Sequence, residues 1–557
     1  MFFKAIGLPF AVILATASTL QAGNIFANAN LTTGANDGTS WADAYQGPAS
    51  LRKAANKAVA GDVIFVAQGT YTPAAGTVRG ASIGLASGVE IYGGFLGTES
   101  SPDERPPIGT APSIVNGDLN GDDSMGMLND NSYHLFKAFG ADSTAILDGF
   151  ELRGGNANGA GNDDVGAGIL FLNGGSPTIR NCTFVDNRCT FGGAACYING
   201  AGATFIDCTF EGNDGGSFGG AIDIATGLPV QFDRCTFRGN TAARAGALEI
   251  FSTQGVTVSN SLFVDNLANA SDGGGGLWIG SGSTADLSGC TIVANRAPNS
   301  TVGGLRQLTS TVTAVNCIFW DNVGQGGGQG SDNQVSSGVD VSYSIVEGGA
   351  SGAGNLNLDP AFIDSAAGDY RLSAASPAVD AGDSGGVTAG APLDLGRAPR
   401  RVDDPAVADS GTGGSPATDM GAFERCIGVV DTLCEALPNS TGTPSVLVAT
   451  GSLSVIANDV NLVAEPLPQS QFGYFLLSAS RDTIPVSAGV LCLGAPQLRF
   501  NQNVLDSGTA GSMSFSPDLT SLPQGQVVQA GETWYFQLWH RDGPDSNFSS
   551  SLAFTWE

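Results

Sequence analysis

The chain has 557 residues, more than one compact core usually holds, so several domains or an elongated repeat are expected. Its 81 glycines lie in a sequence that is 42% hydrophobic, which excludes disorder and indicates many tight turns between short strands. With 52 acidic against 23 basic residues, the net charge of −29 excludes nucleic acid and anionic lipid as partners held by counterion release.

The first residues have the pattern of a secretory signal peptide. Lys4 supplies the positive charge, residues 5–20 are apolar, and Ala22 precedes a cleavage position at Gly23. No later stretch is long and apolar enough to span a membrane. We therefore predict an exported protein, secreted or at the cell surface, in which residues 1–22 are removed and no transmembrane segment remains.

The next region predicts a cap. Residues 49–60 have the apolar spacing of a short amphipathic helix, and residues 63–67 are apolar enough to form a buried strand. A helix over the first coil would cover the open edge of a stacked β-fold, which otherwise invites aggregation. Residues 23–139 are therefore assigned to an N-terminal cap and the first coils.

One segment of this region has the spacing of a calcium loop. In Asp118-Leu-Asn-Gly-Asp-Asp123, the side chains of Asp118, Asn120 and Asp122 alternate as in the first half of an EF-hand loop. The glycine expected next is Asp123, and no glutamate follows at the twelfth position. Asp118, Asn120 and Asp122 are thus the candidate ligands for Ca²⁺, and the alternative is a polar turn between coils.

An internal repeat decides the fold class. A phrase close to Cys-x-Phe-x-x-Asn recurs six times, and its asparagines are 26, 27, 26, 29 and 27 residues apart. The phrases begin at Cys182, Cys208, Cys235, Ser261, Cys290 and Cys317 and end at Asn187, Asn213, Asn240, Asn266, Asn295 and Asn322. A glycine pair, as in Gly192-Gly193, keeps the same period. About 27 residues hold three short strands and three turns, as in a parallel β-helix with coils about 4.8 Å apart.

The repeated positions have predicted roles. Strand alternation places cysteine and phenylalanine on the same inward face. The asparagine is expected to adopt a left-handed conformation and to bond its neighbour in a ladder, and the glycine pair to supply positive φ at another corner. The cysteines are expected to pack as free thiols, since Ser261 interrupts their row; disulfides between neighbours would need suitable Cβ geometry. The regular coils are assigned to residues 140–347.

The C-terminal part, residues 426–557, differs in pattern. Alternating runs such as Trp534-Tyr-Phe-Gln-Leu-Trp539 are separated by glycine, proline and asparagine turns, which is typical of a small antiparallel β-sandwich. Cys434 and Cys492 could form a bridge within it, which would leave Cys426 as the odd thiol.

Several segments resemble known exported proteins. The opening region with Val89-Glu-Ile-Tyr-Gly-Gly-Phe95 resembles exported bacterial right-handed parallel β-helix repeat proteins, and the repeats are similar to those of chlamydial polymorphic outer-membrane proteins. Asp369-Tyr-Arg-Leu-Ser373, Asp394-Leu-Gly-Arg397 and Asp419-Met-Gly-Ala-Phe-Glu424 resemble the choice-of-anchor Q region, which in that family separates a β-helix from a surface-anchoring element. Residues 348–425 are therefore assigned to a terminal coil and this region. The resemblance implies fold and export and carries no catalytic residues.

Catalytic alternatives depend on few side chains. The two histidines, His134 and His540, fall in different predicted domains, which disfavours a histidine triad. No lysine follows Lys137, so uronate elimination would need an arginine base, with Arg180, Arg234, Arg238 and Arg244 as candidates. Hydrolysis needs two facing carboxylates. Carboxylate side chains on such a rod are more often solvated surface groups than catalytic pairs. The coils contain six candidates: Asp186, Asp207, Glu211, Asp223, Asp233 and Glu249.

The sequence therefore predicts an all-β protein, a right-handed parallel β-helix (a solenoid) with an N-terminal capping helix and a C-terminal β-sandwich. The predicted function is non-enzymatic binding of polysaccharide or envelope components at the cell surface, with no catalytic residues and no cofactor apart from the candidate Ca²⁺. The alternative is a polysaccharide lyase or glycoside hydrolase that acts on extracellular acidic polysaccharide.

Overall fold

The computed structural model describes residues 23–327, 330–373, 375–387, 392–402, 404, 407–414, 416–425, 436–450, 455, 458 and 460–556. The chain is a right-handed parallel β-helix followed by a module of antiparallel strands, which confirms the predicted fold class. The signal peptide predicted at residues 1–22 lies outside the described residues. Within the described part, no helix has the length and apolar character needed to cross a membrane.

Each coil visits three faces in the same order, and equivalent strands pair in parallel from coil to coil. The first face contains Ile83–Leu85, Phe136–Phe139, Ile169–Leu172, the start of Cys196–Ile206, the start of Ile222–Asp233, Leu248–Phe251, Leu277–Gly280 and Leu305–Leu308. The second face contains Asn24–Asn28, Val63–Ala67, Glu90–Phe95, Ile146–Asp148, Thr178–Arg180, the ends of the same two long strands, Val256–Ser259, Thr284–Ser288, Thr311–Val315 and Val339–Ser342, with Tyr45–Gln46 at its N-terminal edge. The third face contains Gly69–Tyr71, Ser113–Asn116, Phe150–Arg153, Thr183–Val185, Thr209–Glu211, Thr236–Arg238, Leu262–Val264, Thr291–Val293, Ile318–Trp320 and Ile345–Val346. Short corner pairs join Asn156–Ala157 to Arg188–Cys189 and Thr241–Ala242 to Leu267–Ala268.

The core is built from the inward positions of the repeat. Phe184, Phe210, Phe237 and Phe263 stack in successive coils with ring centroids 4.9, 4.7 and 4.4 Å apart. The repeated cysteines lie beside them, buried and free, as the sequence predicts. Ser261 fills the gap in their row, where its hydroxyl donates to the carbonyl of Ser259.

The repeated asparagines form a buried ladder. The side-chain amide of Asn187 donates to Oδ1 of Asn213 at 3.1 Å, and the same bond joins each later pair up to Asn322, which donates to Gln334. The predicted ladder is confirmed, but the predicted left-handed conformation of the asparagine is wrong. The residue before it has the positive φ, as at Asp186 (51°) and Asp265 (56°), because that residue makes the turn and leaves the asparagine side chain directed along the axis.

Most glycines of these pairs are needed for a reason other than the predicted positive φ. Positive φ occurs at Gly193 and Gly219, but Gly220, Gly246 and Gly275, which share the next position of successive coils, are not left-handed. An added Cβ at Gly246 would lie 1.9 Å from the carbonyl oxygen of Gly275 in the next coil. These glycines are therefore needed because neighbouring backbones touch at this corner.

The N-terminal cap is shorter than predicted. The helix covers Ser50–Ala55 and ends at Asn56, while Val59, an apolar position of the predicted helix, is 41% exposed. The predicted strand is confirmed as Val63–Ala67. Leu51 and Ala54 are buried in the core that the coils share, so the helix closes the first coil.

After the last coil, the chain folds back along the rod. Phe362–Asp364 and Asp369–Leu372 form a hairpin, and the described residues from there to Arg425 contact the junction of the second and third faces. There the amide of Ala422 donates to the hydroxyl of Thr291 at 2.9 Å. Buried Arg400 donates to the carbonyls of Asp419 and Gly421 and so holds this segment together. Short helical turns occur at Ser331–Gln334, Pro102–Glu104, Asp123–Met125, Gly161–Asp164, Gln325–Gly327, Ser365–Ala367, Ser384–Gly386 and Pro523–Gly525.

The C-terminal strands are antiparallel, as predicted, and enclose their own core. Val446–Thr450, Asn461–Glu465 and Met513–Phe515 form one sheet. Another contains Leu498–Arg499, Phe472–Ser478, Thr533–Asp542, Asp545–Thr555 and Leu505–Asp506, and Arg481–Val486 pairs with Gly489–Leu493. Cys492 is disulfide-bonded; Cys434, its predicted partner, lies outside the described residues, as does Cys426.

Candidate functional site

The structure brings together two of the three predicted metal ligands. One carboxylate oxygen from each of Asp118, Asp122 and Asp123 lies within 4.8 Å of the other two. Asn120 is not part of this group; it is exposed, and its backbone amide donates to Asp130. The sequence pattern missed Asp123 because a turn of 3₁₀ helix begins there and folds its side chain back towards Asp118.

These carboxylates repel one another. Partial burial raises the pKa of Asp122, and the charges of Asp130 and Asp118 raise it further. Burial also raises the pKa of Asp123, although Asn131 donates a hydrogen bond to its carboxylate. The group lies at one side of a cavity of about 450 Å³ that is also bordered by Arg153 and Arg188. We refer to residues 116–131, which carry these carboxylates, as the acidic loop.

A second cluster lies on the first face, where side chains of successive coils occupy one outward register. Strand pairing aligns Tyr197 with Asp223, Asp223 with Glu249, and Glu249 with Trp278. The row extends to Leu170 and Lys137 on one side and to Arg306 on the other. Cross-strand neighbours in such a row are in contact range, so seven coils contribute to a single surface, which we call the outward row.

Arg244 organises the middle of this row. Its guanidinium forms an ion pair with Glu249 and lies over the rings of Phe218 and Trp278, 4.4 and 4.1 Å from their centroids. Stacking between two aromatic faces holds a guanidinium strongly when it is partly desolvated. Arg244 therefore forms its ion pair with Glu249, and it acts on the other carboxyl of the row, Asp223, only through its charge.

Asp223 is buried without a hydrogen bond. It is 3% exposed, and no described residue donates to or forms an ion pair with its carboxyl group. Burial raises its pKa well above the usual range, and the charge of Glu249 adds to that effect. At Glu249, burial also raises the pKa, but the hydrogen bond and charge of Arg244 oppose it. These effects favour the protonated form more strongly at Asp223 than at Glu249.

The two carboxyl groups border an apolar cavity of about 300 Å³. Its other walls are Phe191, Phe218, Phe251 and Tyr197, together with Ala225 and Arg244, and Phe191 is 46% exposed. An added Cβ at Gly192 would lie 2.4 Å from Oδ2 of Asp223. Aromatic walls with a few polar groups suit a ligand that has both apolar faces and hydroxyl groups.

The other predicted candidates make structural contacts. Arg234 forms two hydrogen bonds with Asp207, at 2.8 and 3.0 Å, and an ion pair with Asp233. Arg180 pairs with Asp148. The remaining carboxylates are separate: Asp186 borders the cavity of the acidic loop, and Glu211 is exposed.

The histidines are also structural. His134 is buried, with Nδ1 2.9 Å from the carbonyl of Gly166 and Nε2 3.1 Å from Asp163. His540 is buried in the C-terminal module, 3.3 Å from Ser445. Among the tryptophans, Trp278 is in the outward row, whereas Trp320 packs under the hairpin after the last coil and Trp534 packs in the C-terminal core.

The sequence contained a signal for the outward row. Asp223 and Glu249 are 26 residues apart, one coil, and so are Tyr197 and Asp223. Equal spacing within a period of about 27 places residues in one register, although it does not show that they are covered by aromatic rings. Phe191, Phe218 and Phe251 carry no motif, and sequence reasoning missed them.

Comparisons with known proteins agree with the fold. Residues 158–292 and 230–354 match the family model described as right-handed β-helix region. A pectate lyase structure is 16% identical, covers 73% of this chain and 97% of its own, and superposes with a TM-score of 0.44. The full-length tailspike protein 2 of a bacteriophage of Escherichia coli O157:H7 is 12% identical, covers 91% of this chain and 65% of its own, and has a TM-score of 0.25. No curated protein sequence matches the chain.

Proposed function

We propose that the protein binds a carbohydrate chain on its first face, over the outward row, outside the cell. The observation that carries the proposal is the cavity between Asp223, Glu249 and the rings of Phe191 and Phe251. Sugars present apolar C–H faces to aromatic rings and hydroxyl groups to carboxyls. Export is part of the proposal because residues 1–22 have the pattern of a signal peptide.

The shape of the rod suits a polymer. Coils repeat about every 4.8 Å, and the row continues from Asp223 and Glu249 to Tyr197 and Trp278. Because the chain has a net charge of −29 and aromatic rings form most of the cavity, the site favours a neutral polysaccharide over a uronic one.

The test measures binding of purified protein to neutral and uronic polysaccharides by affinity electrophoresis. Phe191→Ala removes an exposed wall of the cavity and is expected to weaken binding at least tenfold. Phe139→Ala is the matched control, since Phe139 is 49% exposed at the end of a first-face strand, away from the cavity. Equal loss in both variants, or no retention of any glycan by the wild type, contradicts the proposal.

A second candidate function is hydrolysis of the bound chain. It is favoured by one observation: two buried carboxyl groups occupy the same register of adjacent coils, and one of them, Glu249, forms an ion pair with Arg244. Asp223 would protonate the glycosidic oxygen as the bond to C1 breaks, and Glu249 would stabilise or attack the developing cation before water adds to C1. Carboxyl groups on adjacent coils suit the separation of about 5–5.5 Å found in retaining enzymes.

Binding and hydrolysis are separated by Asp223→Asn. Release of reducing ends by the wild type and its loss in this variant, with glycan binding retained, would support hydrolysis. Absence of new reducing ends with every bound glycan would reject hydrolysis and leave the binding proposal standing.

A further inference from the structure

We propose that the acidic loop binds one Ca²⁺ through Asp118, Asp122 and Asp123, with Asn131 completing the protein ligands. This site is separate from the outward row and does not depend on the function proposed for it. The ligand set differs from the one that the sequence predicts, since Asp123 and Asn131 replace Asn120.

Unsatisfied oxygen atoms point to a missing cation. Oδ1 of Asp122 and Oδ1 of Asp123 are buried from solvent and have no hydrogen-bond partner. Asp118 is oriented by its own loop, whose backbone amides at Gly121 and Asp122 donate to its Oδ1 at 2.6 and 3.2 Å. Buried acceptors without donors are costly, and a bound metal ion is one of the ways in which proteins satisfy them.

Asn131 supplies an independent indication. It is 1% exposed, and its amide nitrogen donates to Asp123 at 3.2 Å and to the carbonyl of Gly154 at 2.7 Å. Both of its N–H groups are thus used, which fixes the orientation of the amide, and its Oδ1 has no partner. Asn131 borders the same cavity as Asp118 and Asp123. A buried carbonyl oxygen left over beside carboxylates is a suitable calcium ligand.

The surroundings leave room for a cation, and Arg153 and Arg188 border the same cavity without a described ion pair to these carboxylates. Among the described ion pairs, none joins Asp118, Asp122 or Asp123 to a basic residue; Arg153, at the cavity wall, pairs with Glu151. Gly154 has a φ of 67°, and an added Cβ there would lie 2.8 Å from Oδ1 of Asn116 and 3.2 Å from Oδ2 of Asp123. Glycine therefore keeps this side of the acidic loop open.

The ligand chemistry favours Ca²⁺ over Mg²⁺. Ca²⁺ takes about six to eight oxygen ligands in a flexible geometry, whereas Mg²⁺ demands a near-ideal octahedron and keeps several of its own waters. One oxygen from each of Asp118, Asp122 and Asp123 lies within 4.8 Å of the other two. Because one irregular loop carries all three carboxylates, the site suits the more flexible coordination of Ca²⁺.

Calorimetric titration of CaCl₂ and MgCl₂ into EDTA-treated, full-length protein tests the site. The expected result is one binding event with Ca²⁺, at least tenfold weaker binding of Mg²⁺, and a higher unfolding temperature in Ca²⁺ than in EDTA. Asp122→Asn and Asp123→Asn are each expected to weaken Ca²⁺ binding at least tenfold. Asp340→Asn is the control, because it makes the same charge change at an exposed strand position on the second face.

Two outcomes would overturn the proposal. One is the absence of Ca²⁺ binding and of any thermal shift in the wild type. The other is unchanged affinity in Asp122→Asn and Asp123→Asn. Equal unfolding temperatures of wild type and variants in EDTA show that loss of binding is not loss of folding. Glycan binding that persists in these variants, or is absent while Ca²⁺ still binds, separates this site from the function proposed for the outward row.

Discussion

Asp223 and Glu249 occupy the same register in adjacent coils, yet only Glu249 has an arginine. Two buried carboxyl groups in contact range cannot both ionise at low cost. Arg244 stabilises the charge at Glu249 through an ion pair, so the protonated form is favoured more strongly at Asp223. This asymmetry makes the pair chemically useful, and it also makes the stability of the coils depend on pH.

The first prediction concerns that dependence. Because the pKa of Asp223 is raised by burial in the folded state, its contribution to stability is fully present below about pH 4, the unfolded value, and is lost as the pH rises through the folded pKa. Asp223→Asn is expected to flatten the decline of the unfolding temperature between pH 4 and pH 9. A decline of unchanged slope in the variant would show that Asp223 ionises without cost.

The second prediction concerns Gly192. An alanine there would place its Cβ 2.4 Å from Oδ2 of Asp223, so Gly192→Ala is expected to displace that carboxyl and weaken glycan binding at least tenfold. Gly84→Ala is the control, since its added Cβ meets no atom within 4 Å on the same face. Binding assays on both variants check this, and wild-type affinity in Gly192→Ala would contradict it.

The third prediction concerns the asparagine ladder. Asn240→Ala removes the acceptor of the backbone and side-chain amides of Asn213 and leaves the carbonyl of Phe210 without its donor. Each buried group left unsatisfied costs about 1–3 kcal/mol. The free energy of unfolding in urea is expected to fall by several kcal/mol, whereas the exposed Asn269→Ala should change it by less than about 0.5 kcal/mol. Similar losses in both variants would contradict a special role for the ladder.

The fourth prediction concerns the stacked cysteines. Burial raises the pKa of the Cys182 thiol to about 12 and that of Cys208 well above its usual range. Since the thiolate is the reactive form, we expect the seven coil cysteines to resist a thiol reagent at pH 8 in the native protein and to react after unfolding. Rapid labelling of Cys182 in the native state, measured by peptide mass spectrometry, would show that the coils open.

Local patterns in the sequence predict the rod well and the sites less well. The spacing of Cys182, Phe184 and Asn187 specifies core and ladder because their neighbours in space are copies of themselves one period away. The backbone conformation at the turn is harder to predict. Asp186, not Asn187, adopts the left-handed conformation, because the ladder constrains the asparagine side chain. Arg244 lies five residues from Glu249, but its stacking between Phe218 and Trp278 depends on three coils at once, and no short pattern records that.

The ladder affects how the number of coils can change during evolution. The same amide hydrogen bond joins each coil to the next, so duplication or deletion of a coil leaves the ladder from Asn187 to Asn322 continuous. A coil inserted between Asp223 and Glu249 would separate them by about a further 4.8 Å and abolish the pair. An insertion near Asn295 would leave the Asp223–Glu249 pair intact, so the length of the rod can evolve independently of the carboxyl pair.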